Sequence, residues 1–266
     1  MRLRTGLPDP IRQLRDGPNS ADPPMTVLFA HHAGGSALSY LPLARWLPAG
    51  WRPLGIELPG RVTSDGESSF RCSTDAVAWL LPFVLNEIRG PYALFGHSMG
   101  ALVGFELVRE LTRHGQPPVW LGLSGSPAPG RAGQRYGIRR DLWPQDRLLE
   151  FMRELGGTPE AALRTPEITH RMMRTLRDDL AIVDTHQYTA GVAVTVPLSV
   201  WVGLDDPVTA EEDLRLWRRH TTAEVRTRGW PGGHFYLFDQ APAVARQIHL
   251  DILLATSAAP EAHAQR

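Results

Sequence analysis

The chain has 266 residues, 42% hydrophobic and 21% charged, with 28 basic and 28 acidic side chains and a formal net charge of zero. That balance argues against a nucleic-acid or anionic-membrane partner, whose phosphates select for an excess of basic residues, while the length and apolar content suit one α/β domain with a sizeable core. Every basic residue is Arg, and without Lys there is no Schiff-base chemistry, Walker-type phosphate loop, kinase lysine or Ser-Lys dyad.

Residues 1–24, rich in Pro, Arg and Asp, read as an N-terminal surface arm, and Gly6, Pro8, Asp9 and Pro10 stand where a signal peptide needs an apolar stretch. From residue 25 short β-branched or aromatic runs alternate with longer helical ones, which predicts a mostly parallel central sheet with helices on both faces over 25–254. The expected strands are 26–30, 53–57, 92–96, 119–124, 198–203 and 223–228; the expected helices are 38–47, 74–87, 99–114, 210–220 and 241–254. Thr209 with Glu212 three residues on predicts a capping box, and Gly115 followed by Pro117 and Pro118 stops the third helix. About 70 residues separate the strands at 119–124 and 198–203, more than one crossover helix needs. Helical patches at 142–155 and 166–186 within it predict a lid insertion over about 126–190, above the sheet. The small, polar stretch 255–266 reads as a flexible tail. The longest apolar run, 76–85, is short of a membrane span and is broken by Pro82. A lone Cys72 forms no internal disulfide, so a cytoplasmic location is the expectation.

The sharpest local signal is Gly96-His97-Ser98-Met99-Gly100 between an expected strand and an expected helix. A nucleophile elbow needs small residues on either side of its serine because the turn is too tight for larger ones. A serine hydroxyl also needs an imidazole to take its proton and a carboxylate to orient that imidazole, following in the order Ser, Asp or Glu, His in loops after strands. Leu204-Asp205-Asp206-Pro207 and Trp230-Pro231-Gly232-Gly233-His234-Phe235 stand in those places. Of ten histidines, His234 alone occupies the expected loop; His220 closes a helix, where it reads as a cation at the C-terminal dipole, and His97 should point into the scaffold. Asp206 is favoured over Asp205 because Pro207 and Thr209 suit a loop presenting the second acid. The developing oxyanion needs two amide donors, for which Met99 and Ala33 in His31-His32-Ala33-Gly34-Gly35-Ser36-Ala37 are the candidates. A metal held by His31 and His32 is disfavoured, since neighbouring imidazoles seldom converge on one ion. No metal or cofactor is expected.

Together HHAGGSA (31–37), LPGR (58–61), GHSMGA (96–101), LGGTP (155–159), DDP (205–207), Trp217 and PGGHF (231–235) resemble the type II thioesterases, freestanding α/β-hydrolases that accompany polyketide and nonribosomal peptide synthetases. The resemblance implies an α/β-hydrolase fold, Ser98, Asp206 and His234 as the triad, Ala33 and Met99 as the oxyanion hole, and the insertion after Ser124 as the lid of an acyl chamber. It implies removal of stalled or incorrect acyl groups from the phosphopantetheine arm of acyl or peptidyl carrier proteins. The chain departs from the family where His31 replaces the usual Pro and where Leu58 replaces a common aromatic residue. A freestanding length with its own Met1 favours an editing enzyme, expected as a monomer. Arginines of the insertion such as Arg135, Arg139 and Arg140 are candidates to meet an acidic carrier protein. The alternative is a general carboxylesterase or lipase-like hydrolase of oxygen esters on the same scaffold.

Overall fold

The computed structural model describes residues 7, 9–16, 23–61, 70–129, 139–157, 166–189 and 194–257. Seven strands form one sheet: β1 (Ile11–Gln13), β2 (Thr26–Ala30), β3 (Arg52–Ile56), β4 (Tyr92–His97), β5 (Trp120–Ser124), β6 (Leu198–Gly203) and β7 (Val225–Trp230), in the order β1-β3-β2-β4-β5-β6-β7. All neighbours run parallel except β1, which is antiparallel to β3. Every residue of β2, β4, β5 and β6 is buried, as expected of parallel strands covered on both faces.

Alternation along the strands sorts the core into two layers. Leu28, Leu54, Leu94, Leu121 and Val200 face helices α2 (Ser73–Glu87) and α3 (Met99–Arg113), whereas Val27, Phe29, Phe95, Trp120 and Trp201 face α1 (Leu41–Ala44) and the C-terminal helix. The insertion carries α4 (Gln145–Leu155) and α5 (Pro166–Asp184), which share a smaller cluster of Leu148, Met152, Met173, Leu176 and Leu180. The chain then continues through α6 (Glu211–Leu216) and α7 (Tyr236–Asp239) to α8 (Ala241–Ser257). In α8, Ala241, Val244, Ala245, Ile248 and Ile252 recur at helical spacing and bury one face. Among the described residues no helix is long and apolar enough to cross a membrane.

Three expectations are corrected. Part of the N-terminal arm belongs to the sheet: β1 pairs with β3, and the Arg15 guanidinium donates to the carbonyls of Ala44, Leu47, Pro48 and Trp51 at 2.8–2.9 Å, fastening the end of α1. Three residues are too few for a period-2 pattern to announce a strand. The helix at 210–220 begins with Ala210 as its N-cap, and Asp213, not Glu212, accepts the Ala210 N–H at 3.0 Å. Thr209 is drawn away from that cap because its hydroxyl donates to the Asp206 carboxylate. The stretch expected as a tail from residue 255 instead begins inside α8, which continues to Ser257; residues 258–266 lie outside the described residues.

Candidate active site

The strand order brings the site together. β2 leads to β3 on one side, and the chain then crosses back to β4 on the other, so the carboxyl ends of β2 and β4 lie side by side with Ala30 opposite Gly96. Such a reversal opens a crevice at the carboxyl ends of the strands. The His31–Ala37 loop and the Gly96–Gly100 turn both start there. On the other flank Gly203 pairs with Trp230, so the loops carrying Asp206 and His234 also leave from adjacent strands.

At the turn, Ser98 has φ 55° and ψ −118°, the one positive φ outside glycine among the described residues. A non-glycine residue held there stores about 1–3 kcal/mol of strain, which the surrounding structure must maintain. Its neighbours explain the motif. A Cβ on Gly96 would lie 2.1 Å from the Gly100 carbonyl oxygen, and one on Gly100 would lie 2.0 Å from the Ala30 oxygen. Because both obstacles are backbone, Gly100→Ala is expected to destabilise the fold by about 3 kcal/mol or more, read as a lower urea midpoint or loss of soluble protein. A midpoint within error of the parent would show that the helix can shift at no cost.

Met99 is the first residue of α3, so its N–H is one of the four amides left without an intrahelical partner, and the positive end of the helix macrodipole lies beside it. Ser98, Met99, Ala33 and His234 line one cavity. Asp206 lies behind the imidazole: His234 Nδ1–H donates to Asp206 Oδ2 at 2.8 Å, leaving Nε2 as the basic nitrogen. The same carboxylate accepts the Val208 N–H at 2.8 Å and the Thr209 hydroxyl at 2.6 Å. Burial alone would raise the Asp206 carboxyl. The hydrogen bond and charge of His234, with Thr209 and Val208, outweigh it and hold the group below the ordinary carboxylate range. Asp205 is exposed, and its backbone N–H donates to the Gly232 carbonyl at 3.0 Å.

His97 is fully buried behind the turn, bonded through Nδ1 to Ser124 Oγ at 2.9 Å, and Ser124 Oγ in turn meets the Tyr236 hydroxyl at 2.6 Å. His31 and His32 turn to different partners. The Leu58 N–H donates to His31 Nε2 at 3.2 Å, so His31 carries its proton on Nδ1 and donates it to the His32 carbonyl at 2.8 Å. His32 lines the cavity with its ring 4.8 Å from Phe235, and burial lowers its pKa to about 4. His220 departs from the expected cation. It is buried against Phe105, Tyr188 and Trp217, and burial, then the charge of Arg109, lower its pKa so that the neutral ring is favoured.

Away from Ser98 the cavity wall is mostly apolar: Phe151, Met152 and Leu155 come from α4, and Leu176, Leu180 and Val183 from α5. Spacings of four and three residues place the last three on one helix face. Trp217 has a supporting part, its indole N–H donating at 3.2 Å to the carbonyl of Ser126, which lines the cavity. Arg140 is also in the wall, buried and paired through Nη2 with Asp184 at 2.6 Å, which removes it from a surface that meets a carrier protein. Arg139 is half exposed and bonded to Asp141; Arg135 lies outside the described residues. Nothing in the sequence marks Thr209 as a partner of Asp206, since a Thr before an acidic helix start has the pattern of a cap. No local pattern marks Asp184 as the partner of Arg140 either.

The model of the family described as "Thioesterase domain" matches residues 25–252. The chain belongs to the thioesterase family. Thioesterase PikA5 of Streptomyces venezuelae is 34% identical over 258 residues, covering 95% of this chain and 88% of that protein. Gramicidin S biosynthesis protein GrsT of Aneurinibacillus migulanus is 30% identical, covering 78% and 81%. Among solved structures, the type II thioesterase BorB from the borrelidin biosynthetic cluster superposes with a TM-score of 0.82 at 31% identity, covering 91% of this chain and 97% of that one. ClbQ from the colibactin pathway gives 0.81 at 26% identity, covering 88% and 99%. The thioesterase is thus an α/β-hydrolase-fold thioester hydrolase, and the resemblance read from its motifs to type II thioesterases holds.

Proposed function

We propose that this thioesterase is a cytoplasmic, monomeric editing enzyme that hydrolyses acyl groups from the phosphopantetheine arm of acyl or peptidyl carrier proteins in polyketide or nonribosomal peptide synthesis. The observation that carries the reading is the juxtaposition of Ser98, His234 and two candidate amide donors at the polar end of an apolar chamber roofed by α4 and α5. In this mechanism Ser98 Oγ attacks the thioester carbonyl while its proton passes to His234 Nε2, and Asp206 stabilises the imidazolium. The amides of Met99 and Ala33 hold the oxyanion. Collapse breaks the C–S bond, the departing pantetheine sulfur takes the proton from His234, and the acyl group remains on Ser98 as an oxygen ester. Water, deprotonated by His234, then cleaves that ester, releasing the carboxylic acid and restoring the serine. The apolar wall suits the acyl chain, and the relatives from antibiotic biosynthesis support a carrier-bound substrate.

The test compares kcat/KM for one short acyl group as a carrier-protein thioester, as a free pantetheine thioester and as an oxygen ester. Carrier-bound substrate is expected to be preferred at least tenfold over free pantetheine. Equal values would remove the carrier protein from the reading, and preference for the oxygen ester would make the enzyme a general esterase.

A further inference from the structure

The candidate second oxyanion donor, Ala33, sits in a turn closed by the Gly35 N–H on the His32 carbonyl at 3.0 Å, a single backbone bond that the two following glycines do little to stiffen. Gly34 lies at φ 73° beside Gly35, and two consecutive glycines impose no conformation of their own. The loop is gripped at both residues by groups from elsewhere. Asp179 of α5, a carboxylate with 1% of its side chain exposed, accepts the Gly34 N–H at 2.8 Å. Arg61 of the LPGR stretch donates through Nη2 to both Asp179 oxygens at 2.6 Å, and its Nε donates to the Gly35 carbonyl at 3.2 Å. Arg61 is itself anchored by Nη1 on the Pro59 carbonyl at 2.8 Å. One turn earlier on α5, Thr175 donates to the Gly60 carbonyl at 3.1 Å, so the helix also holds the stretch that holds the loop. Ala33 is the residue next to Gly34 within the turn, so its amide direction depends on the turn closure and on where Gly34 is fixed from outside.

We propose that Asp179 is a positioning residue for the oxyanion hole: through the Gly34 N–H and the Arg61 guanidinium, lid helix α5 sets the direction of the Ala33 amide, and the second donor is in place only while α5 is packed on the loop. The inference rests on the reading of Ser98, His234 and Ala33 given under Proposed function. An ion pair this deeply buried does little for stability compared with an apolar contact of the same volume, whereas it fixes geometry closely. A donor displaced by about 1 Å costs on the order of 10² in rate.

The experiment measures Asp179→Ala and Asp179→Asn beside the parent, with a free pantetheine thioester as substrate and an alkyl trifluoromethyl ketone, which forms a tetrahedral adduct on the serine, as inhibitor. Asp179→Ala is expected to lower kcat about 10- to 100-fold with KM within twofold, and to weaken the ketone by the same factor while leaving the product acid's affinity unchanged. Asp179→Asn keeps an acceptor for the Gly34 N–H and is expected to recover part of both losses. A merely structural role would lower the folded fraction and the melting temperature but not the ketone affinity of the folded enzyme. Arg71→Ala is the control: Arg71 pairs with Asp178, the adjacent residue of the same helix, and with Asp141, neither of which bonds the loop among the described residues, so kcat and ketone affinity should stay at the parent values. Unchanged ketone affinity in the Asp179 variants overturns the proposal. If Asp179→Ala does not fold, Asp179→Asn carries the same comparison, with at least a threefold loss expected. Should Ser98→Ala keep its activity, the reading of the site fails instead, which separates the two.

Discussion

Ser98→Ala is expected to lower kcat for thioester hydrolysis by about 10⁴-fold or more, because removal of the nucleophile in a hydroxyl–imidazole–carboxylate set leaves only binding and oxyanion stabilisation. The effect should fall on kcat with KM little changed, and the urea midpoint should stay near that of the parent, since alanine meets the same backbone strain at φ 55°. Ser98→Gly removes that strain at the cost of glycine's greater freedom in the unfolded chain, so it is expected to be equally inactive and at least as stable as Ser98→Ala. Single-turnover hydrolysis and urea titration of the three proteins provide both readings. A Ser98→Ala enzyme with more than about one per cent of parental kcat would show that another group attacks the thioester.

A steep loss of stability on mild acidification is the second expected result. His31 and His97 are buried, and burial lowers both pKa values well below the ordinary value; the next largest cause is the charge of Arg61 for His31 and of His234 for His97. A base held neutral in the fold but protonated when unfolded leaves the unfolded chain binding more protons, so stability rises with pH across the window between the two pKa values. The contribution is complete above the unfolded value of about 6.5 and is lost as pH falls below it, each histidine adding a slope on the order of 1 kcal/mol per pH unit. His32, lowered to about 4, acts in the same direction from 6.5 down to that value. Asp206, held below the ordinary range, extends the loss at lower pH, while Asp179, whose carboxyl burial pushes up, works against it there. The urea midpoint should be level between pH 8 and 7 and fall clearly by pH 5.5. A level midpoint down to pH 5 would mean that these rings are solvated or charged in the fold.

The elements were legible where short-range rules act strongly. Expected strands at 26–30 and 198–203 coincide with β2 and β6, and α2 and α3 begin and end within one residue of expectation, because burial on both sheet faces and helical periodicity leave plain patterns. β7 lies two residues later than expected, since its middle residues Thr227, Arg228 and Gly229 are exposed at the sheet edge and carry no apolar signal. The helix expected over 38–47 divides into a 3-10 turn at Ala37–Tyr40 and the short α1, with Pro42 in the first turn of the latter. Thr209 shows how a correct local motif can serve another end: its hydroxyl satisfies either a helix N-terminus or a carboxylate, and the buried Asp206 beside it is the stronger acceptor.

Features that depend on residues close along the chain are legible without a structure: the alternation that makes a parallel sheet, the two glycines that let Ser98 occupy its turn, and the strand-to-loop order in which serine, aspartate and histidine appear. Which loops meet depends on packing between strands far apart in the chain. Ala33 and Met99 line the same cavity because β2 and β4 are neighbours in space although β3 lies between them in sequence. Arg140 passed from the docking surface to the chamber wall because a carboxylate 44 residues away buries it. The hold of Asp179 on Gly34 spans 145 residues. Periodicity and capping arise from backbone geometry within a turn or two, whereas a buried charge finds its partner only when the whole chain has collapsed and water is no longer there to solvate it.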